Sequence, residues 1–240
     1  MSLEFETRIE SYDVHPNDFV RVSALFKLFQ KAAGDDMDST GLTYNTLREK
    51  NIVFVLTKMN IKFYDDIHTY DNVKVITRPR GCKGATYIRD YDVFVNGKRV
   101  AYCTSHWVII NFETRKLLRP ATIAEDFNLK DDLTDIVKID DKKIRINCDE
   151  LEKTDVRRVF YSHIDKNEHM NNTFYADILY DYAPESLKET FKDKTVVIQY
   201  TTEIRCGEQM EIYSGNTNDG FAVVAKNLET GKDIFTAVIN

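Results

Sequence analysis

The sequence predicts an α+β fold built twice. Three observations carry this reading. An apolar run at helical spacing stands near the start of each half, and a train of strand-like segments follows each run. The two runs also superpose at one offset. Asn17 falls on Asn167 and Phe19 on His169, 150 positions apart (167 − 17), and Leu25, Leu28 and Phe29 fall on Tyr175, Ile178 and Leu179.

Residues 4–13 read as a strand. Val22, Leu25, Phe26, Phe29, Ala32 and Ala33 then predict an amphipathic helix of roughly 15–20 residues, with Asn17 or Asp18 as its cap. Val53, Val55, Thr57, Met59, Ile61 and Phe63 alternate with Lys58, Asn60 and Lys62, the period-two pattern of a strand with one buried face. Residues 72–78 predict another strand. Segments 85–95 and 99–111 flank Asn96-Gly97, a tight-hairpin signal. Periodicity fades over 114–150, where the acidic stretch EDFNLKDDLTD reads as a connector. The order then restarts with a strand at 155–161. Met170, Phe174, Tyr175, Ile178, Leu179 and Tyr182 mark a second helix, which closes near Pro184. Segments 194–205, 209–214, 220–226 and 233–239 read as strands, separated by Cys206-Gly207, Asp219-Gly220 and Gly231.

One long helix wrapped by its own antiparallel sheet, twice over, with the sheets joined edge to edge, is the tandem (double) hot-dog architecture. Joining the sheets removes exposed edges. The boundaries read as 1–125 for the first repeat, 126–153 for the connector and 154–240 for the second repeat.

The 240 residues are ample for a sizeable core, and 14 Phe with 13 Tyr favour a β-rich fold. A net charge of −6 speaks against a nucleic-acid partner. The basic groups Arg78, Arg80 and Lys83; Lys142, Lys143 and Arg145; and Arg157 and Arg158 read as solvated surface or as a landing patch for an acidic partner. Four scattered cysteines make no CxxC pair, and no cofactor motif is read, so neither cofactor nor metal is expected. The start, MSLEFETRIE, lacks the apolar core of a signal peptide, and no run is long enough for a membrane helix. The expectation is a cytoplasmic protein with no membrane partner. Because the repeats form a pseudo-dimer, either a monomer or a homodimer is expected.

The densest polar stretch is HIDKNEHMNN, 163–172. It admits three readings. Asn171 or Asn172 can cap the following helix while Asp165 makes a turn. His163, Asp165 and His169 can ligate a metal, although H-x-D-x-x-x-H matches no standard spacing. Third, in an extended segment Asp165, Asn167 and His169 alternate onto one side, ahead of a helix N-terminus that stabilises negative charge. A thioester carbonyl suits such a site, because a thiol of pKa about 8.5 leaves without strong acid assistance. In the first repeat the matching positions are His15, Asn17 and Phe19, so the polar set belongs to the second repeat alone. Glu203, in QYTTEIRCGEQMEI, is the leading base for an attacking water if it faces inward from its strand; facing outward, it is an ordinary glutamate beside Arg205. No G-x-S-x-G or SxxK motif offers a serine nucleophile. Cys206 is a further nucleophile candidate, although free cysteines are more often inert.

With these residues in view, the chain resembles the acyl-acyl carrier protein (acyl-ACP) thioesterases of the plant and bacterial double-hot-dog type. IDKNEHMNNTFY (164–175) is similar to that family's D-x-N-x-H-[VM]-N-N-x-x-Y signature. SYDVHPNDFVRVSALFKLFQKAA, VFVLTKMNIKF, SHWVIINFETRKLLRP and YTTEIRCGEQ resemble further family segments. The resemblance implies hydrolysis of acyl-ACP to fatty acid and holo-ACP in fatty acid biosynthesis, with acyl carrier protein and a fatty acyl thioester as partners. It implies Asp165, Asn167, His169 and Glu203 as the catalytic set. It places the acyl tunnel in the first repeat, beside helix 18–33 and strands around 53–63, where Phe26, Phe29, Phe54, Leu56 and Met59 are lining or plain core. Plant members carry a cysteine directly after the glutamate. Here that position is Ile204, which favours attack by water. An acyl-CoA thioesterase and a non-catalytic acyl-binding module are the rival readings.

Overall fold

The computed structural model describes residues 2–120, 123, 131, 132, 134, 136, 137 and 144–240. Most of the acidic connector, with Lys142 and Lys143, lies outside them. The first half comprises β1 (Leu3–Arg8), α1 (Val22–Ser39), α2 (Tyr44–Glu49), β2 (Ile52–Phe63), β3 (Asn72–Lys83), β4 (Thr86–Val95) and β5 (Lys98–Asn111). The second comprises β6 (Glu152–Arg158), α3 (Phe174–Tyr182), β7 (Thr195–Tyr200), β8 (Gln209–Thr217), β9 (Gly220–Asn227) and β10 (Asp233–Ile239).

Among the described residues all ten strands form one antiparallel sheet, ordered β1-β3-β4-β5-β2-β7-β10-β9-β8-β6. Five strands come from each half. The seam is the β2–β7 ladder, running from Lys58↔Gln199 to Lys62↔Thr195. Only β1 and β6 are left as edges, and both carry charged residues along their length. Asn96 (φ 49°) and Gly97 (φ 76°) make the expected hairpin turn between β4 and β5.

The predicted stripe on α1 is buried: Val22, Leu25, Phe26, Phe29, Ala32 and Ala33 all pack inside. The predicted cap is not found. Arg21 occupies the N-cap position without a side-chain capping bond, Asn17 donates to the Lys188 carbonyl at 2.6 Å, and Asp18 takes a left-handed backbone (φ 70°). The second helix is half as long as the first, 9 residues against 18. Pro184 restricts Ala183 to extended geometry (φ −61°, ψ 140°), which ends it.

The alternation in β2 is broken. A bulge between Leu56 and Lys58 shifts the pairing with β5, so Leu56, not Thr57, joins Met59, Ile61 and Phe63 in the core. Arg78 and Arg80 are not solvated either. Arg78 pairs with buried Asp92, and Arg80 Nε lies 2.6 Å from Asp90. Part of the connector crosses this outer face: Asp132 N–H bonds Pro79 C=O at 2.8 Å, and Arg80 donates to the Thr134 carbonyl at 2.5 Å. Further along the sheet, Ile144 and the Gln199 side chain exchange two hydrogen bonds of 3.0 and 2.9 Å.

Between α1 and the sheet, Arg89 and Asp36 form an ion pair at 2.7 Å with side chains only 3% and 10% exposed. Removing one partner strands a buried charge. Asp36→Ala is expected to cost about 3–5 kcal/mol in urea unfolding, and adding Arg89→Met should recover most of the loss. A double variant no more stable than Asp36→Ala would contradict this account.

Candidate functional site

Residues 164–170 form a tight loop closed by an Ile164–Met170 bridge, not an extended segment. Asp165 organises it. Its carboxylate accepts the Asn167 N–H at 2.8 Å, its own N–H bonds the His169 carbonyl at 3.0 Å, and its carbonyl accepts the Glu168 N–H at 3.0 Å. Glu168 absorbs the reversal with φ 67°. The loop turns the side chains of Asp165, Asn167 and His169 into one cleft. Asn171 then closes the loop onto α3, its carboxamide oxygen accepting the Thr173 N–H (2.9 Å) and hydroxyl (2.8 Å). The expected asparagine cap is not found: Thr173 holds the N-cap position without a side-chain capping bond, and Asn171 shapes the turn that precedes it.

Glu203 reaches the same cleft from an unexpected place. β7 ends at Tyr200, where Thr201 and Thr202 both turn their N–H groups to the Ile234 carbonyl. Glu203 therefore lies past the strand. Its side chain is 37% exposed at the cleft wall, not on the sheet's inner face. The Met170 N–H bonds Ile204 C=O at 2.9 Å, which sets the preceding residues side by side. His169 Nε2 stands 3.7 Å from Glu203 Oε1, and Arg115 Nη1 stands 3.7 Å from the same oxygen. Both separations exceed hydrogen-bond length, so the carboxylate has room for a further donor.

The cleft encloses about 630 Å³ and is lined by Asp165, Asn167, His169 and Glu203 together with Phe54 and Leu56. The other apolar candidates lie deeper. Phe26, Phe29 and Met59 surround an inner void of only about 10 Å³. Gln30, Leu56, Trp107, Asn172 and Tyr200 line both spaces and form the partition between them. Burial raises the hydroxyl pKa values of Tyr175 and Tyr200, and for Tyr175 the Asp165 and Glu203 carboxylates add to the effect. Among the described residues the Asn167 carboxamide bonds no protein group. His163 is turned away. Its Nδ1 faces the Phe160 N–H at 3.3 Å, and its ring packs 5.1 Å from Phe174. Cys206 is exposed in a turn and does not line the cleft. Sequence reasoning missed Arg115, although its signal was present: the Thr-Arg-Lys turn, where Arg115 takes φ 55° behind an Asn111–Thr114 bond of 2.8 Å.

The first half contains the twin of this site, built on the same loop. Val14–Val20 replaces the Ile164–Met170 bridge, Asp18 (φ 70°) replaces Glu168, and Val20 N–H bonds Ile67 C=O at 2.9 Å. Phe19 stands in the histidine slot, and Asp66 in that of Glu203. Asp66 is consumed structurally, accepting the Thr190 hydroxyl (2.8 Å) and the Phe191 and Lys192 N–H groups (2.6 and 3.2 Å).

Solved structures of other proteins share this fold over the entire chain. An acyl-ACP thioesterase from Bacteroides thetaiotaomicron superposes with TM-score 0.83 at 22% identity, covering 100% of this chain and 98% of that one. The 12:0-ACP thioesterase from Umbellularia californica superposes with TM-score 0.83 at 18% identity, covering 100% and 97%. The fold is the double hot-dog. The Acyl-ACP thioesterase N-terminal domain family matches residues 2–128 and the Acyl-ACP thioesterase C-terminal domain family matches residues 146–238. The chain therefore belongs to the acyl-ACP thioesterase family. Among curated proteins it is 24% identical to a chloroplastic palmitoyl-acyl carrier protein thioesterase of Arabidopsis thaliana over 94% of this chain. It is 22% identical to a chloroplastic oleoyl-acyl carrier protein thioesterase of Coriandrum sativum over 92%. The chain spans 57% and 64% of the length of these two relatives. Among the described residues no helix is long and apolar enough to cross a membrane.

His15, the twin of Asp165, has a buried Nε2 with no hydrogen-bond partner among the described residues. Burial first, then Arg21 and Lys188, lower its pKa from 6.5 to about 4. Between those values the unfolded chain binds a proton that the folded chain refuses, so this residue's contribution to stability is lost as pH falls through that window. His15→Phe should flatten the fall of the urea midpoint from neutral pH towards about pH 4. An unchanged slope would rule out His15 as a source of the pH dependence.

Proposed function

We propose that this chain hydrolyses the thioester of a fatty acyl chain carried on acyl carrier protein, releasing free fatty acid and holo-ACP in fatty acid biosynthesis. The observation that carries the reading is the meeting of His169, Glu203 and an unpartnered Asn167 carboxamide in one cleft. Family membership and the names of the relatives support the substrate class. In this reading the second repeat supplies the chemistry, and the first repeat, with Phe54 and Leu56 at the cleft and Phe26, Phe29 and Met59 behind, receives the acyl chain.

The Asn167 carboxamide donates to the thioester carbonyl oxygen and stabilises the charge that develops there. The Thr173 amide is already committed to Asn171, so α3 contributes its dipole, while Asn167 contributes the hydrogen bond. Glu203 accepts a proton from water as the water oxygen bonds the carbonyl carbon. Collapse of the tetrahedral adduct breaks the C–S bond and expels thiolate, which takes a proton from the His169–Glu203 pair. Asp165 holds the loop that aims Asn167 and His169. Cys206 takes no part.

Glu203→Ala should lower kcat about 10²–10⁴-fold, the usual worth of general-base help. Asn167→Ala should lower it about 10²–10³-fold, the usual cost of a lost oxyanion donor. Cys206→Ala should keep most activity. Thiol release from a panel of acyl-ACPs measures all three. An inactive Cys206→Ala beside an active Glu203→Ala would reverse the assignment.

A further inference from the structure

Three cations that line the cleft, Arg48, Arg115 and Lys166, lie over aromatic rings, and of these Arg115 also faces a carboxylate. Arg48, on α2, lies with Cζ 3.5 Å from the centre of the Phe112 ring and 5.6 Å from that of Tyr44. Lys166, inside the loop that carries Asp165 and Asn167, places Nζ 3.9 Å over the same Tyr44. Arg115 stands 5.9 Å over Phe112 and continues inward to Glu203. An unbroken ladder thus runs from Glu203 outward to the rim, where Tyr44 and Phe112 are 39% and 37% exposed. Arg48, Arg115 and Lys166 all line the cleft.

Several surface cations elsewhere are neutralised, Lys31 by Asp35, Lys98 by Asp65, Lys153 by Glu211 and Arg157 by Asp181. Among the described residues Arg48 and Lys166 have no carboxylate partner. The distinction matters chemically. A ring fixes a cation in place without cancelling its charge. At 3.5 Å a guanidinium can only lie flat on the ring, which leaves its in-plane N–H fork free for an oxyanion. Arg48 and Lys166 share the Tyr44 ring, so two uncancelled positive charges stand together in a chain of net charge −6 and offer an anchor for an anion.

Building on the hydrolytic reading above, we propose that Arg48 and Lys166 bind the phosphate of the pantetheine arm that delivers the thioester. With the thioester at His169 and Glu203, the arm leaves along the cleft and its phosphate emerges at the rim. The aromatic pair Tyr44 and Phe112 positions the two cations. Acyl-ACP and acyl-CoA both carry a phosphate on this arm, so the site reads the arm and not the carrier.

Calorimetric titration of the full chain with 4′-phosphopantetheine, against phosphate-free pantetheine, tests this without requiring turnover. The phosphorylated ligand should bind about tenfold tighter at low salt, and the advantage should shrink as salt rises. Arg48→Gln/Lys166→Gln should abolish the advantage. Lys166→Gln alone, in an exposed loop, should reduce it severalfold and covers the case in which the double variant disturbs α2. Equal binding of the two ligands by the unaltered chain, or a phosphate preference that survives the double variant, overturns the proposal. Thiol release from acyl-ACP and acyl-CoA then identifies the source of the phosphate, since KM rises in the double variant for whichever carrier the protein uses. A phosphate preference in a chain that hydrolyses neither thioester would refute the enzymatic reading and leave the phosphate site standing.

Discussion

A single backbone hydrogen bond, from Met170 N–H to Ile204 C=O, brings the two halves of the candidate site together. The two chain segments it joins share no strand pairing. His169 precedes one partner and Glu203 the other, so the bond places an imidazole and a carboxylate side by side although 34 positions (203 − 169) separate them in sequence. Its context keeps it intact. Met170 and Ile204 are both buried in the core, where an unpaired amide and carbonyl would be costly.

The same bond exists in the first half, between Val20 and Ile67, yet the outcome there is different. The divergence begins with one residue type. At the offset of 150, Pro184 corresponds to Gly34 (184 − 150). Gly34 lets α1 continue to Ser39, and the chain then enters α2 at the rim of the cleft. Pro184 stops α3, and the following segment folds back over the twin site, where Asp66 grips Thr190, Phe191 and Lys192 and Asn17 grips Lys188. One half thus keeps a cleft that unites all four positions, whereas in the other half residues 190–192 fill the Asp66 side and leave a separate hollow lined by His15 and Asn17.

The duplication, the two apolar helix stripes and most of the strands were legible because they follow local periodicity. What escaped reading depends on contacts distant in sequence. The β2 bulge is imposed by pairing with β5, so the alternation through Thr57 looked unbroken. Glu203 read as a strand residue because Thr201 and Thr202 suit strands, but both amides converge on Ile234 and the ladder stops. Arg78 and Arg80 read as surface because their partners, Asp92 and Asp90, face them only after β3 and β4 pair. The short α2, with no buried residue, leaves no apolar stripe to detect. The motif residues were found by type and spacing, whereas the loop that unites them turned out to be a closed reversal rather than an extended run.

The near-absence of free volume behind the cleft has a consequence for any hydrocarbon tail that enters. The inner void of about 10 Å³ has room for about one water-sized group, far less than a hydrocarbon tail needs, so Phe26, Phe29, Met59 and Tyr91 present a shutter of side chains instead of a prebuilt tube. Each further carbon gains about 0.8 kcal/mol by leaving water and must spend part of that gain on rotating or displacing those rings. Under the proposed function, selectivity for tail length would be graded rather than absolute, set by the stiffness of the shutter rather than by the distance to a wall.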